Sequence, residues 1–115
     1  MKRTICIGDK SVDMVAVAAL DVIYQQIFRE DPLKIQIKLT EDPEAAASAI
    51  QFYNRMAFVM AKLAELPPSE MMKLGEDDYI MWLMDFERAD LIGAIGEIAG
   101  LYNGEKVTSS EAKKN

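Results

Sequence analysis

Between Asp42 and Leu66 apolar side chains recur at helical spacing over about six turns, with no internal glycine or proline after the opening Asp42-Pro43-Glu44. Ala46, Ile50, Tyr53, Ala57, Met60 and Ala64 form one apolar stripe, and Phe52, Met56, Val59 and Leu63 form a second beside it. Two stripes require packing partners on two sides. Asp42 and Pro43 suit a helix start, and Pro67-Pro68 stops the helix, because neither ring nitrogen carries a proton to continue it. The third face, with Glu44, Ser48, Gln51, Arg55 and Lys62, is polar except for Phe58. A phenylalanine in the middle of a wet face makes Phe58, with its neighbour Arg55, a candidate for contact outside the monomer.

Around this helix the period changes several times. Arg3–Ile7 and Ser11–Val15 alternate with period two around Gly8-Asp9-Lys10, which predicts a short hairpin. From Ala16 to Phe28 the spacing becomes helical, with Ala16, Leu20, Ile23 and Ile27 on one face, Val17, Tyr24 and Phe28 next to it, and Asp21, Gln25 and Arg29 on the wet side. Residues 32–40 carry two conflicting signals. Asp31-Pro32 is a helix start, whereas Leu33, Ile35, Ile37 and Leu39 alternate with polar residues as in a strand. Pattern alone leaves both open.

Further on, Ser69 to Leu74 predicts a turn of helix capped by Ser69 and closed by Gly75. Glu76-Asp77-Asp78 supplies the charged start of a helix from about Tyr79 to Asp85. A final helix from about Arg88 to Tyr102 buries Leu91, Ile95, Ile98 and Tyr102 and stops at Asn103-Gly104. Its three internal glycines, Gly93, Gly96 and Gly100, each cost roughly 1 kcal/mol against alanine, which suggests close packing on another backbone. From Glu105 the chain is polar. The fold class expected is therefore mainly α: one small helical domain over residues 1–104, with an N-terminal β-hairpin packed on a helix bundle, followed by a flexible tail over 105–115.

Composition narrows the chemistry. A net charge of −6, with no basic cluster before the last residues, argues against nucleic acid as a partner. The chain has no histidine, which removes the commonest general base and metal ligand. Its single cysteine, Cys6, cannot form an intrachain disulfide and reads as a small strand residue, in keeping with a reducing compartment. Asp9, Lys10 and Asp13 interrupt what would otherwise imitate a secretion signal, and no run approaches the ~18 apolar residues of a membrane span. The carboxylates at Glu76–Asp78 and Asp85–Asp90 lack the ligand spacing of a calcium loop, and no phosphate loop or nucleophile elbow is present. No enzymatic activity, cofactor or metal is expected. What remains is surface. Eight methionines are many for 115 residues, and methionine both fills irregular cores and lines adaptable interfaces. Trp82 and Phe86, at i and i+4, read as core; Met81, Met84, Met71 and Met72 join Phe58 and Arg55 as candidate partner-binding residues.

The order of these segments resembles the tail assembly chaperones of siphophages that infect Gram-positive bacteria. The resemblance is carried by the hairpin, by Ile23-Tyr24-Gln25-Gln26-Ile27-Phe28-Arg29-Glu30-Asp31-Pro32, by Phe58-Val59-Met60-Ala61-Lys62, by Asp78-Tyr79-Ile80-Met81-Trp82-Leu83-Met84-Asp85-Phe86, and by a last helix ending Leu101-Tyr102. Val107-Thr108-Ser109-Ser110 leading to Lys113-Lys114 is similar to the ends of such chains. The resemblance implies a non-enzymatic protein of the host cytoplasm, absent from the mature virion, that binds and solubilises the tape-measure protein while the tail forms. It also implies self-association, and a longer form, made by a programmed frameshift near Lys113-Lys114-Asn115, that recruits the major tail protein. The competing reading of the same residues is a small helical adaptor or regulator holding one defined partner.

Overall fold

The computed structural model describes residues 1–42 and 44–104. Strands β1 (Lys2–Ile7) and β2 (Lys10–Val15) pair antiparallel, with Ile5 opposite Val12 and Arg3 opposite Met14. Period two sends Ile5, Ile7 and Met14 into the core and leaves Cys6 on the exposed side. Gly8 makes the two-residue turn possible. Its φ is +66°, and a Cβ there would collide with the Asp90 carboxylate, so both backbone and space demand glycine. The Met1 ammonium donates to the Ala16 carbonyl and the Ala16 N–H donates to the Met1 carbonyl, each at 2.8 Å. These two bonds extend the hairpin and hold Ala16 out of the following helix. Accordingly α1 runs from Leu20 to Phe28 rather than from Ala16, and Val17 stays exposed.

Helix α1 buries Leu20, Ile23, Tyr24, Ile27 and Phe28, and ends where Arg29 turns left-handed at φ 60°. Two residues later Asp31 decides the ambiguous segment in favour of a helix. Its carboxylate accepts from the Leu33 N–H at 3.0 Å, Pro32 occupies the first turn, and α2 runs from Pro32 to Glu41. A strict alternation wound into a helix splits into two opposite stripes. Ile35 and Leu39 lean on the core, while Leu33 and Ile37 stand exposed on the other side.

The central helix α3 (Ala46–Glu65) starts later than its sequence suggests. Asp42 does not cap it. That residue closes α2 through a backbone bond to Lys38, and its side chain accepts from the Glu44 N–H at 2.9 Å in a local turn. Pro43 lies outside the described residues. Ala46 is exposed, and the buried segment begins at Phe52. From Met56 to Ala61 every residue is buried, so this part of α3 is enclosed on all sides by the hairpin and by helices before and after it.

After Pro67, α4 (Pro68–Met71) starts with Pro68 in its first turn, so Ser69 lies inside the helix instead of capping it. Helix α5 (Glu76–Leu83) begins at Gly75, whose N–H donates to Asp78 Oδ2 at 2.9 Å. The three carboxylates are thus the first turn of α5 itself, and the helix is set earlier than Tyr79–Asp85. The expected last helix is two: α6 (Arg88–Gly93) and α7 (Ile95–Tyr102), interrupted at Ala94, whose N–H bonds back three residues to Leu91. Nothing lies within 4 Å of a Cβ built on Gly93 or Gly96, so close backbone packing does not account for these glycines. Mainly α with an N-terminal hairpin is the architecture; the expected tail over 105–115, including Lys113-Lys114-Asn115, lies outside the described residues. No helix among the described residues is long and apolar enough to cross a membrane.

Candidate partner-binding surface

The six residues singled out from the sequence divide into three kinds. Phe58 and Met71 are interior, at 0% and 2% exposure. Phe58 meets Tyr79 at 5.6 Å and Trp82 at 5.9 Å between ring centroids, both edge-on, and Phe28 at 6.4 Å. Its expected role as an outward contact is therefore corrected: Tyr79 and Trp82 of α5 cover Phe58, while Ser48 and Gln51 nearer the start of the same face stay exposed. Trp82 and Phe86 are core-packed as expected, 4.8 Å apart, with Trp82 touching Phe58.

Arg55 is the intermediate case. Its guanidinium lies 5.1 Å from the Phe28 ring centroid, and Nη1 donates to Glu30 Oε1 at 2.6 Å. The Tyr24 hydroxyl donates to the same oxygen at 3.1 Å. Burial, more than the neighbouring Glu30 charge, pushes the Tyr24 phenol upward against the opposing influence of Arg55. Burial also works against the Arg55 charge, but the Tyr24 hydroxyl and the Glu30 carboxylate together outweigh it and leave its pKa raised. Arg55 thus spends its charge inside the fold, joining the end of α1 to α3. It borders a cleft of about 450 Å³ between α2 and α3 that also carries Lys38, Glu41 and Asp42.

Met72, Met81 and Met84 are the candidates that face outward, at 57%, 68% and 79% exposure. They belong to two distinct surfaces. Met81 and Met84 stand with Ile80 on the outer side of α5, opposite the inward Tyr79 and Trp82. Met72 stands at the rim of a groove of about 430 Å³ between α1, the end of α3 and α4, where Met71 contributes a buried wall. Val22, Ile23, Leu63 and Leu66 line the same groove, and Gln26 is its one polar residue. Sequence reasoning passed over Val22, which is 65% exposed. The signal was present, since Val22 follows Asp21 on the side of α1 turned to solvent. It also passed over the exposed stripe of Leu33 and Ile37, because the helix in which that stripe exists was not settled.

No group of three acidic or cysteine side chains among the described residues converges as a metal would require. The carboxylates Glu76, Asp77 and Asp78 make up the first turn of α5, and Asp78 accepts from the Gly75 N–H at the helix start. Comparison with protein-family models, with curated proteins and with solved structures found no match in any of the three.

Proposed function

We propose that this chain is a tail assembly chaperone that coats the tape-measure protein during phage tail morphogenesis. The observation that carries the proposal is the distribution of large exposed apolar side chains over separate faces: Met81, Met84 and Ile80 on α5, Met72 and Val22 beside the groove, Leu33 and Ile37 on α2. A protein that holds a long helical partner at many places needs several shallow, adaptable contacts rather than one deep pocket. Methionine supplies such contacts because its unbranched chain repacks at little cost. Further copies of the chain would meet through the same faces, and a contact that does not close on itself would propagate along the partner. The longer frameshifted form would bring the major tail protein to this coat. On this reading the chain carries out no catalytic step.

A second reading draws on the groove. A concave apolar site of about 430 Å³ accepts one segment well, which suits an adaptor with a single defined partner. Stoichiometry separates the two. Co-expression with the product of the long reading frame just downstream, followed by size-exclusion chromatography with light scattering, should give many copies per long chain. That long chain should be insoluble when expressed alone. A fixed one-to-one complex would overturn the coating role in favour of the adaptor, and absence of binding to a well-behaved neighbour would remove the tape-measure assignment.

A further inference from the structure

We infer that the outer face of α5 is a docking site for a positively charged amphipathic helix. This deepens the coating role by naming the chemistry of the bound segment, and it rests on that role only for the identity of the partner. Ile80, Met81 and Met84 are 56%, 68% and 79% exposed, and they cannot turn inward. The opposite side of α5 is committed to the core by Tyr79 and Trp82, each edge-on to Phe58. The ridge is therefore apolar, outward and held on a fixed support.

Charge decides what fits it. Between Lys73 and Arg88 the chain has five carboxylates, Glu76, Asp77, Asp78, Asp85 and Glu87, and no cation. All but Asp78 are exposed, and Asp78 is engaged with the Gly75 N–H. At roughly 100° per residue, Asp77 falls on the ridge between Ile80 and Met81. The ion pairs among the described residues involve Glu30, Glu65 and Glu70, and none of the five. Two cations approach from other elements, both at the Asp85 end: Lys10 donates to the Asp85 backbone carbonyl and sits 5.2 Å from the Phe86 ring centroid, and Lys62, paired with Glu65, lines a cavity with Trp82 and Asp85. An apolar ridge set among carboxylates that form no ion pair among the described residues is complemented by an apolar stripe flanked by lysine or arginine. A second copy of this chain presenting its own α5 would bring like charges together, so a symmetric α5 pairing is disfavoured. The groove beside α1 has no charge in its lining and carries no such preference.

The test uses the full chain and three fluorescein-labelled peptides read by anisotropy: a leucine/lysine amphipathic helix, the same leucine stripe with glutamate for lysine, and the lysine peptide shuffled to destroy the stripe. The leucine/lysine peptide should bind about tenfold or more tighter than either control and weaken by about tenfold when salt is raised tenfold. Met81→Ser with Met84→Ser should weaken it by a similar factor while the circular dichroism stays that of the parent, since both side chains are exposed. Asp77→Lys should shift preference toward the glutamate peptide, and Val22→Ser, in the groove, should leave binding unchanged. Equal binding of the shuffled peptide would reduce the effect to net charge and overturn the proposal. So would undiminished binding by the double methionine variant, or loss through Val22→Ser alone. Loss of the peptide effect with a many-copy complex intact removes the α5 site alone, whereas peptide binding without such a complex leaves the site standing and removes the tail role.

Discussion

Phe58 is the point at which three aromatic neighbours from α1 and α5 close on the central helix. With 0% exposure it has no water to lose to a smaller side chain, and Phe58→Ala should cost about 3–5 kcal/mol in the unfolding free energy from urea titration. Phe58→Asp should leave no cooperative transition, because it would bury an unpaired charge. A change below about 1 kcal/mol for the alanine variant would mean that the aromatic cluster does not hold α5 in place. The misreading of this residue has a definite cause. A helical wheel shows which side chains share a face, but not whether a face meets solvent, and the cover over Phe58 comes from Tyr79 and Trp82, more than twenty positions away. Met71 and Met72 teach the same lesson at closer range: adjacent and chemically identical, one is at 2% exposure and the other at 57%, by their positions around the end of α4. Tyr53 errs in the opposite direction. It sits on the stripe expected to be buried, yet it is half-buried, edge-on to Phe52 at 5.0 Å and to Tyr102 at 6.3 Å.

At the scale of elements, legibility followed local chemistry. The hairpin was readable because Gly8 and period-two alternation sit within a dozen residues, and Pro67-Pro68 marked the end of α3 for the same reason. Starts were less readable. Asp31 and Asp42 each precede a proline, but Asp31 caps a helix, whereas Asp42 ends one and folds on itself. What distinguishes them is where the preceding chain has come from, and no dipeptide records that. The break at Ala94 was likewise hidden, since apolar spacing continues across it from Leu91 to Ile98. Its glycines give a direct check. Gly93 and Gly96 have negative φ and open space where a Cβ would stand, so Gly93→Ala and Gly96→Ala should each stabilise the fold by up to about 1 kcal/mol, chiefly by restricting the unfolded chain. A loss of stability in thermal melts of either variant would show that the interruption between α6 and α7 needs glycine's freedom. Gly8→Ala is the contrasting case, destabilising on both its left-handed backbone and its approach to Asp90.

For the molecule as a whole, three tyrosines couple the fold to alkaline pH. Burial is the largest influence on Tyr24, Tyr79 and Tyr102, and all three are raised above the ordinary tyrosine value of 10.0. Tyr102 donates to Asp21 Oδ1 at 2.7 Å and Tyr24 to Glu30 Oε1 at 3.1 Å, so each hydroxyl that would ionise is also the donor in a contact between elements or at the edge of one. The sign follows from proton counting. Above pH 10 the unfolded chain loses phenolic protons that the folded chain keeps, so unfolding gains favour with each increment of pH until the raised folded values are passed. The contribution is present in full below the ordinary tyrosine value and is lost as pH climbs through the raised folded values. Urea titrations should therefore show an unfolding free energy that falls more steeply above pH 10 than just below it. Tyr102→Phe should be somewhat less stable at neutral pH, having lost its bond to Asp21, and should fall less steeply with alkali. Should Tyr24→Phe and Tyr102→Phe both decline as fast as the parent, the alkaline loss would belong to other groups. Tyr79 brings α5 into this coupling from its inner side, whereas on its outer face no exposed carboxylate bonds to a tyrosine among the described residues. Binding at that outer face should then respond to salt at neutral pH while the fold beneath it holds, because surface charges are screened by salt and the buried tyrosines keep their protons there.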